Sequence, residues 1–412
     1  MSTIAFQGPL NWTGYLFLQK RLFTEIVRQE SKEVRIDLAG VERVYPNGAV
    51  PLIVLLEGYR RQGVAVRVDG AQIHPAMLSH DYLALLDPSA GVAPRLGPSA
   101  VHVFHDDVEV NELINQKIHQ VLGQAQYAPG VLPAFEWFLN EIAGNVLVHA
   151  EGQRGWMQVV VHPSTQHLSV IVADDGMGIP ESIRSSALLR ERFGDRVDDG
   201  EAIEIALREG VTSKPDFGQG KGLAGTIAIV KANPGATMSI TSRQGRVSYS
   251  LEEGLKVRDH QPPLAGTLVD VQLDFSKPIE IEKALWGHVP VNFTEMLYGK
   301  DLPVGVMRLS LCDEAPSFGN RITATRIRTK IENLLATAPA DVLEIDFHGV
   351  SILASSFADE VFGKLAAKLG IIGFSRRLRF LNLNAFCQGV IDDVVQARLA
   401  QNYASKNGPT NE

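Results

Sequence analysis

Hydrophobic residues recur along this chain at two spacings, and the alternation between them predicts β/α units. Apolar positions three and four apart predict an amphipathic helix over residues 11–29. A strand at 34–41, a helix at 49–61 and a second strand at 64–68 are predicted to follow. Alternation of this kind implies helices packed on a sheet, so the chain is expected to begin with a small β/α module.

The same pattern returns near the other end of the chain. Residues 34–49 align without gaps with residues 343–358: in each, an apolar strand ends in aspartate, a Gly-Val pair follows, and a helix begins. A further strand is predicted in each copy, at 64–68 and at 378–381. We therefore expect an internal repeat of one β/α module.

Between the two copies lies an apolar helical pattern that carries polar residues four positions apart. Glu141, Asn145 and His149 therefore form one stripe along a largely buried helix. Buried polar groups need a partner, and a nucleotide with Mg²⁺ would provide one. An amide oxygen suits a hard cation, and a carboxylate can orient or deprotonate a water molecule or a hydroxyl group.

Two glycine-rich turns follow the polar helix. A Val- and Ile-rich strand at 168–173 ends in the turn Asp174-Asp-Gly-Met-Gly-Ile179, which places a carboxylate at the strand tip and lets a ligand approach the backbone. The second turn, Gly218-Gln-Gly-Lys-Gly222, opens a helix predicted at 223–231, where backbone N–H groups attract phosphate. Residues 181–217, between the turns, are the most charged part of this region.

In order and spacing, these three blocks resemble the nucleotide site of the GHKL ATPase superfamily, which includes gyrase B, the large heat-shock chaperones, histidine kinases, MutL and the anti-sigma factor serine kinases. The match covers residues 105–275. The resemblance implies ATP and Mg²⁺ as cofactors, Asn145 as the metal ligand, Glu141 as the general base, and Asp174 as the partner of the adenine amino group. The other residues that it implies at the nucleotide are His149, Gly176, Gly178, Ile179, Gly218, Gly220, Lys221, Gly222, Leu223 and Thr267.

The two repeated modules resemble the STAS domain of anti-sigma factor antagonists, in which a phosphorylatable serine stands at the start of a helix. The C-terminal copy also resembles the STAS-like domain found behind bacterial ATPases of this superfamily. Asn47 occupies the serine position in the first copy, which argues against phosphorylation there. Ser356, with Ser355 beside it, occupies that position in the second copy, either as a phosphosite or as a helix cap.

The predicted fold class is α/β, an α+β sandwich. It consists of a central Bergerat-type ATP-binding domain, with a mixed sheet and a helical layer, flanked by two small STAS-like β/α domains. The predicted domains are an N-terminal STAS-like domain at 1–98, an ATP-binding domain at 99–275 and a C-terminal STAS-like domain at 276–412. The resemblance implies that residues 181–217 form the ATP lid.

Composition and net charge argue against some classes of binding partner and metal site. The net charge of −8 argues against bulk electrostatic binding to nucleic acid or to an anionic membrane. Cys312 and Cys387 provide neither a disulfide framework nor a metal-binding spacing. No apolar run has the length needed to cross a bilayer, and no secretory signal is recognised, so a cytoplasmic protein is expected.

The chain lacks features that define several members of the superfamily. No histidine upstream of Glu141 stands in a phosphoacceptor setting, and a STAS-like module replaces the transducer of gyrases and chaperones. The favoured hypothesis is a Mg-ATP-binding, slowly hydrolysing regulatory switch whose nucleotide state controls STAS-like modules that bind a protein partner. The alternatives are a serine kinase of the anti-sigma type, acting on a STAS partner or on Ser356, and a scaffold that ATP stabilises. A homodimer would fit the superfamily.

Overall fold

The structure, a computed structural model, describes residues 2–70, 82–93, 97–149, 154–194, 196–211, 222–287 and 298–407, without the side chains of 107, 147–149 and 403–407. The chain divides into two compact units. Unit 1 consists of Met1–Lys117 and Ala134–Val289, and unit 2 consists of Ile118–Pro133 and Pro290–Glu412. Unit 1 contains the N-terminal module and most of the central domain, and unit 2 contains the C-terminal module together with residues 118–133. No helix in the described part of the chain is long and apolar enough to span a membrane.

The N-terminal module is a three-stranded parallel sheet with two helices. Its elements are β1 (Ser2–Leu10), α1 (Trp12–Phe23, continued by a π-helical turn at Thr24–Arg28), β2 (Glu33–Val44), α2 (Pro46–Arg61) and β3 (Ala65–Asp69). β2 lies between β1 and β3 and pairs in parallel with both. The predicted helices and strands are confirmed. β1 was not predicted, although Ile4, Phe6 and Leu10 are buried at the alternating spacing of a strand.

The central domain is a five-stranded sheet with helices. It follows the short helix α3 (Tyr82–Leu86), whose buried residues belong to the core of the N-terminal module. Its elements are β4 (His102–Phe104), α4 (Asp107–Leu122), α5 (Val131–His149), β5 (Gly155–His162), β6 (His167–Asp174), α6 (Ile179–Ser185), α7 (Ala187–Phe193), α8 (Asp199–Ala206), α9 (Gly222–Ala232), β7 (Thr237–Ser250) and β8 (Gly254–Asp274), and the short helix α10 (Ile281–Ala284) follows them. The strand order is β4-β5-β6-β8-β7. All neighbouring strands of this order pair antiparallel within the described residues, where a mixed sheet was expected. The pairs β5–β6 and β7–β8 are hairpins, which are antiparallel by construction, and longer connections lead to the antiparallel pairs β4–β5 and β6–β8.

One hydrophobic core joins the N-terminal module to a face of the central sheet. Trp156 of β5, Ala173 of β6 and Leu268 of β8 are neighbours across the strands, and all three are buried in the same core as α2. Asp174 and Thr267 are adjacent to these residues in the strands, so they point to the opposite face of the sheet. The module therefore covers one face of the sheet, and the predicted site residues at the end of β6 belong to the other.

The C-terminal module repeats the topology of the N-terminal one. Its elements are β9 (Val306–Ser310), α11 (Leu311–Glu314), α12 (Arg321–Thr337), β10 (Val342–Asp346), α13 (Ser355–Ala358, continued by a π-helical turn at Asp359–Gly363), α14 (Lys364–Arg377), β11 (Leu378–Leu381) and α15 (Ala385–Asn407). β10 lies between β9 and β11 and pairs in parallel with both. This matches the arrangement of β1, β2 and β3, so the internal repeat is confirmed.

The repeat extends to individual hydrogen bonds. Asp37 and Asp346 occupy aligned positions, and in each the Oδ1 atom accepts the backbone N–H of the residue two positions later, at 2.9 Å. The helices α2 and α13 begin at the aligned residues Pro46 and Ser355. Aspartate therefore closes the same turn after the central strand of both modules.

Candidate functional site

The carboxylate of Asp174 is fixed at the end of β6 by hydrogen bonds from two directions. Its Oδ1 atom accepts the N–H of Gly176 at 2.9 Å. Thr267, the register partner of Asp174 on β8, donates to the carboxylate through its backbone N–H and its hydroxyl group. Burial raises the pKa of Asp174 to about 7, against the opposing effect of these hydrogen bonds, and the charge of Asp175 adds to the increase. Asp174 therefore changes its charge near neutral pH.

The turn after Asp174 is attached to the β7–β8 pair through a serine. The hydroxyl group of Ser242 accepts the N–H of Ile179 at 3.0 Å and donates to the carbonyl oxygen of Gly266 at 2.8 Å. Gly178, with φ of +84°, leaves no room for a side chain, because a Cβ atom would lie 2.7 Å from that hydroxyl oxygen. The turn, Thr267 and Ser242 thus form one connected group. Sequence analysis missed Ser242, which no motif distinguishes from its neighbours in the hairpin.

Gly266 allows β8 to approach the end of β6. Its φ of +74° lies in the left-handed region, and a Cβ atom at this position would overlap the backbone carbonyl group of Asp174. The predicted Gly-Thr pair at the start of the last core strand therefore has a structural explanation. Glycine provides the close approach, and Thr267 provides the hydrogen bonds to the carboxylate of Asp174.

A second group of predicted residues meets at the N-terminus of α9. Gly222 is the first residue of this helix, and a Cβ atom there would overlap the Oε2 atom of Glu141 on α5. Burial raises the pKa of Glu141. A carboxylate of α5 therefore lies against the end of α9 at which backbone N–H groups have no partner within the helix.

The remaining predicted residues are described to different extents. Asn145 lies one turn after Glu141 on α5 and is partly exposed, as is Leu223 on α9. His149 is the last residue of α5, and its side chain lies outside the described part of the chain. Gly218, Gly220 and Lys221 also lie outside it. The structure thus groups Asp174, Gly176, Gly178, Ile179 and Thr267 with one another, and it groups Glu141 with Gly222.

The predicted lid contains a small folded cluster of helices. Helices α6, α7 and α8 share a hydrophobic core that includes Ile183, Leu189 and Ile205. The carboxylate of Asp199 on α8 forms an ion pair with Arg184 and accepts the N–H of Gln244 on β7 at 2.8 Å. This cluster is therefore attached to the central sheet. Residues 212–217 of the predicted lid lie outside the described part of the chain.

The aligned positions Asn47 and Ser356 have different surroundings. The amide of Asn47, at the start of α2, donates a hydrogen bond to the carboxylate of Asp270 on β8. Ser355 and Ser356 are exposed at the start of α13, where Ala354 is the N-cap residue and no side chain caps the helix. The capping role considered for the two serines is therefore wrong. Phosphorylation of Ser356 stays a prediction.

Comparison with known protein families identifies the C-terminal module. Residues 323–385 match the family described as a STAS-like domain of unknown function (DUF4325). This part of the chain is STAS-like. The match runs from α12 to the first residue of α15, so the STAS-like module contains β10, β11 and both exposed serines. No curated protein matches the chain. The GHKL resemblance of the central domain stays a prediction from its motifs.

Proposed function

We propose that this protein is a Mg-ATP-binding regulatory switch whose nucleotide state controls its STAS-like modules. The observation that carries the proposal is that two carboxylates each lie next to a glycine of a neighbouring strand or helix. Asp174 lies beside Thr267 and Gly266 at the end of a strand, and Glu141 lies against Gly222 at the start of a helix. The GHKL resemblance assigns Asp174 and Thr267 to the adenine end of one nucleotide, and Glu141 and Gly222 to its phosphate end.

The residues present suit Mg-ATP in their hydrogen-bonding groups and in shape. Asp174 supplies a fixed acceptor for an amino group, and the glycines at 178 and 266 bring bare backbone next to it. The N-terminus of α9 supplies backbone N–H donors for phosphate. Asn145 would supply an amide oxygen to Mg²⁺, the kind of ligand that this hard cation prefers.

Glu141 is the residue that we propose to act in phosphoryl transfer. Bound Mg-ATP would supply the phosphoanhydride bond that is broken in the reaction. Glu141 would orient a water molecule and accept its proton, and because its pKa is raised, its carboxylate is a stronger base than an exposed glutamate. Attack of that water on the γ-phosphoryl group would break its bond to ADP, and release of ADP and phosphate would return the switch to its nucleotide-free state.

We propose that the output of the switch is protein binding through the STAS-like modules. STAS-like domains often mediate protein interactions, and residues 323–385 belong to such a domain. A nucleotide can shift the protein between two states only if it binds one of them more tightly. The predicted lid, attached to β7 through Asp199, is the element that we expect to differ between those states. Two chains are proposed to associate as a homodimer.

One observation favours a second function, protein serine phosphorylation. The hydroxyl groups of Ser355 and Ser356 are exposed and do not cap their helix, so either could accept a phosphoryl group. In this alternative Glu141 deprotonates a serine instead of a water molecule. The acceptor would be a STAS-type partner or Ser356 of the same or a second chain.

A single incubation distinguishes these functions. The protein is mixed with Mg²⁺ and γ-labelled ATP, and free phosphate and protein-bound label are both followed. Free phosphate alone supports the switch, and label on serine that disappears in Ser356→Ala supports the kinase. Glu141→Ala is expected to retain nucleotide binding and lose turnover, whereas Glu112→Ala, at an exposed site on α4, is expected to retain both. Binding without turnover in the unaltered protein would leave only an ATP-stabilised scaffold.

A further inference from the structure

The second aspartate of the turn is held by the N-terminal module. Asp175 directly follows Asp174, and only 3% of its side chain is exposed. Its carboxylate forms an ion pair with Arg61, the last residue of α2, and accepts the backbone N–H of Arg154 at 3.1 Å. The helix that covers one face of the sheet therefore contacts the turn that carries the proposed adenine ligand.

A second contact from the same helix holds the neighbouring strand. Glu57 lies one turn before Arg61 on α2, and its Oε1 atom accepts a hydrogen bond from the guanidinium group of Arg154 at 2.7 Å. The residue after Arg154 is Gly155, the register partner of Asp174. Two charged residues of α2 thus contact the paired strand ends from which the turn emerges.

The other end of α2 is fixed to the same sheet. Its second residue, Asn47, donates to Asp270 on β8, three residues after Thr267. Between these ends, Leu52, Ile53 and Leu56 are buried in the core that includes the sheet. Because α2 is held at both ends and along its length, Arg61 has a defined position relative to Asp175.

The ion pair between Arg61 and Asp175 differs from an ordinary surface ion pair because the side chain of Asp175 is buried. Exposed ion pairs contribute little to stability, because water screens them and the side chains lose freedom. Removing the partner of a buried carboxylate instead leaves a charge without compensation, which is strongly unfavourable. The charge of Asp175 also raises the pKa of Asp174, and Arg61 opposes that charge. Loss of Arg61 should therefore change the shape of the turn that carries Asp174.

We propose that Arg61 is a positioning residue that couples docking of the N-terminal module on the sheet to the conformation of the Asp174–Ile179 turn. With α2 docked, the turn presents Asp174 to its ligand. By thermodynamic reciprocity, a ligand that fixes the turn also holds α2 in its docked position. The identity of the ligand rests on the proposed function, whereas the contact between α2 and the turn does not.

The contact is tested first in the ligand-free protein. Hydrogen exchange is measured by mass spectrometry in the unaltered protein, in Arg61→Gln and in Arg61→Lys. Arg67→Gln serves as the matched control, because Arg67 forms an exposed ion pair with Glu33 on the same module. We expect peptides that cover the turn and β5 to exchange about tenfold faster in Arg61→Gln, a size typical of site-to-site coupling. Arg61→Lys should recover most of the protection, and Arg67→Gln should show no change.

Nucleotide binding provides the second readout. The affinity for a fluorescent Mg-ATP analogue is expected to fall about tenfold in Arg61→Gln, and the nucleotide should slow exchange in α2 of the unaltered protein. If Arg61→Gln does not fold, Asp175→Asn replaces it, because this variant removes the charge and keeps the shape. Unchanged exchange in the turn of either variant overturns the coupling. If the unaltered protein binds no nucleotide, the proposed function fails, and the exchange of the ligand-free variants still decides the coupling.

Discussion

The charge of Asp174 should control nucleotide affinity in the neutral pH range. Burial raises its pKa to about 7, so lowering the pH from 8 to 6 protonates most of this carboxyl group in the ligand-free protein. A carboxylate accepts a hydrogen bond from an amino group more strongly than a carboxylic acid does. Binding should therefore strengthen as the pH rises through 7.

The size of the effect follows from the titration. With a pKa of about 7, roughly one molecule in eleven carries the carboxylate at pH 6, and about ten in eleven carry it at pH 8. If only that form binds, affinity changes about tenfold over this interval, which corresponds to about 1.4 kcal/mol. An aspartate with an ordinary pKa of about 3.9 would be ionised throughout, and affinity would not change.

The assay is a titration with a fluorescent Mg-ATP analogue at pH 6, 6.5, 7, 7.5 and 8 at constant ionic strength. The nucleotide phosphates also change charge in this interval, so Asp174→Asn is measured in parallel. Its weak binding should show only the pH dependence of the nucleotide itself. The difference between the two proteins is the contribution of Asp174. A dissociation constant with the same pH dependence in both proteins would refute the link between the buried carboxylate and the ligand.

Three further predictions concern single residues. Gly222→Ala should lower ATP turnover at least about tenfold and retain nucleotide binding, because its Cβ displaces the proposed base Glu141, whereas Gly58→Ala, with open space around its Cβ, should change neither. Burial and the charges of Arg246 and Lys20 lower the pKa of His260 to about 4. The free energy of unfolding should therefore be highest above pH 6.5, where the imidazole is neutral in both states, and should fall by at most about 3 kcal/mol as the pH falls towards 4. Urea denaturation from pH 7 to pH 4.5 should show this loss and a smaller one in His260→Gln. Asp174→Asn should raise the melting temperature of the ligand-free protein at pH 8 and raise it less at pH 5, because the destabilisation from a carboxyl group whose pKa is raised from 3.8 to about 7 begins above pH 3.8 and grows as the pH rises to 7.

Local patterns were sufficient to predict much of the fold. The apolar periodicities predicted α1, β2, α2 and β3, and the gapless repeat predicted that α2 and α13 begin at equivalent residues. The positions of the motifs were also informative, since Asp174 ends a strand and Gly222 begins a helix. In each case one stretch of sequence determines both the element and the placement of the polar group within it.

Features that depend on distant contacts were not predictable in the same way. The sequence of α2 ends in charged residues, which is typical of a solvated helix end, yet Arg61 pairs with Asp175 far along the chain. Ser242 is an ordinary strand serine until β7 and β8 place it under the turn at Gly178. The antiparallel sheet also depends on how the chain returns between strands, which the pattern of a single strand does not determine.

The central claim is that Asp174 and Glu141 belong to one Mg-ATP site, and isothermal titration calorimetry tests it most directly. Mg-ATP is added at pH 8 to the unaltered protein, to Asp174→Asn, to Glu141→Ala and to the control Glu112→Ala. We expect binding in the unaltered protein, in Glu141→Ala and in the control, and much weaker binding in Asp174→Asn. No binding heat in the unaltered protein at temperatures several degrees apart, or the same affinity in Asp174→Asn, would contradict the account.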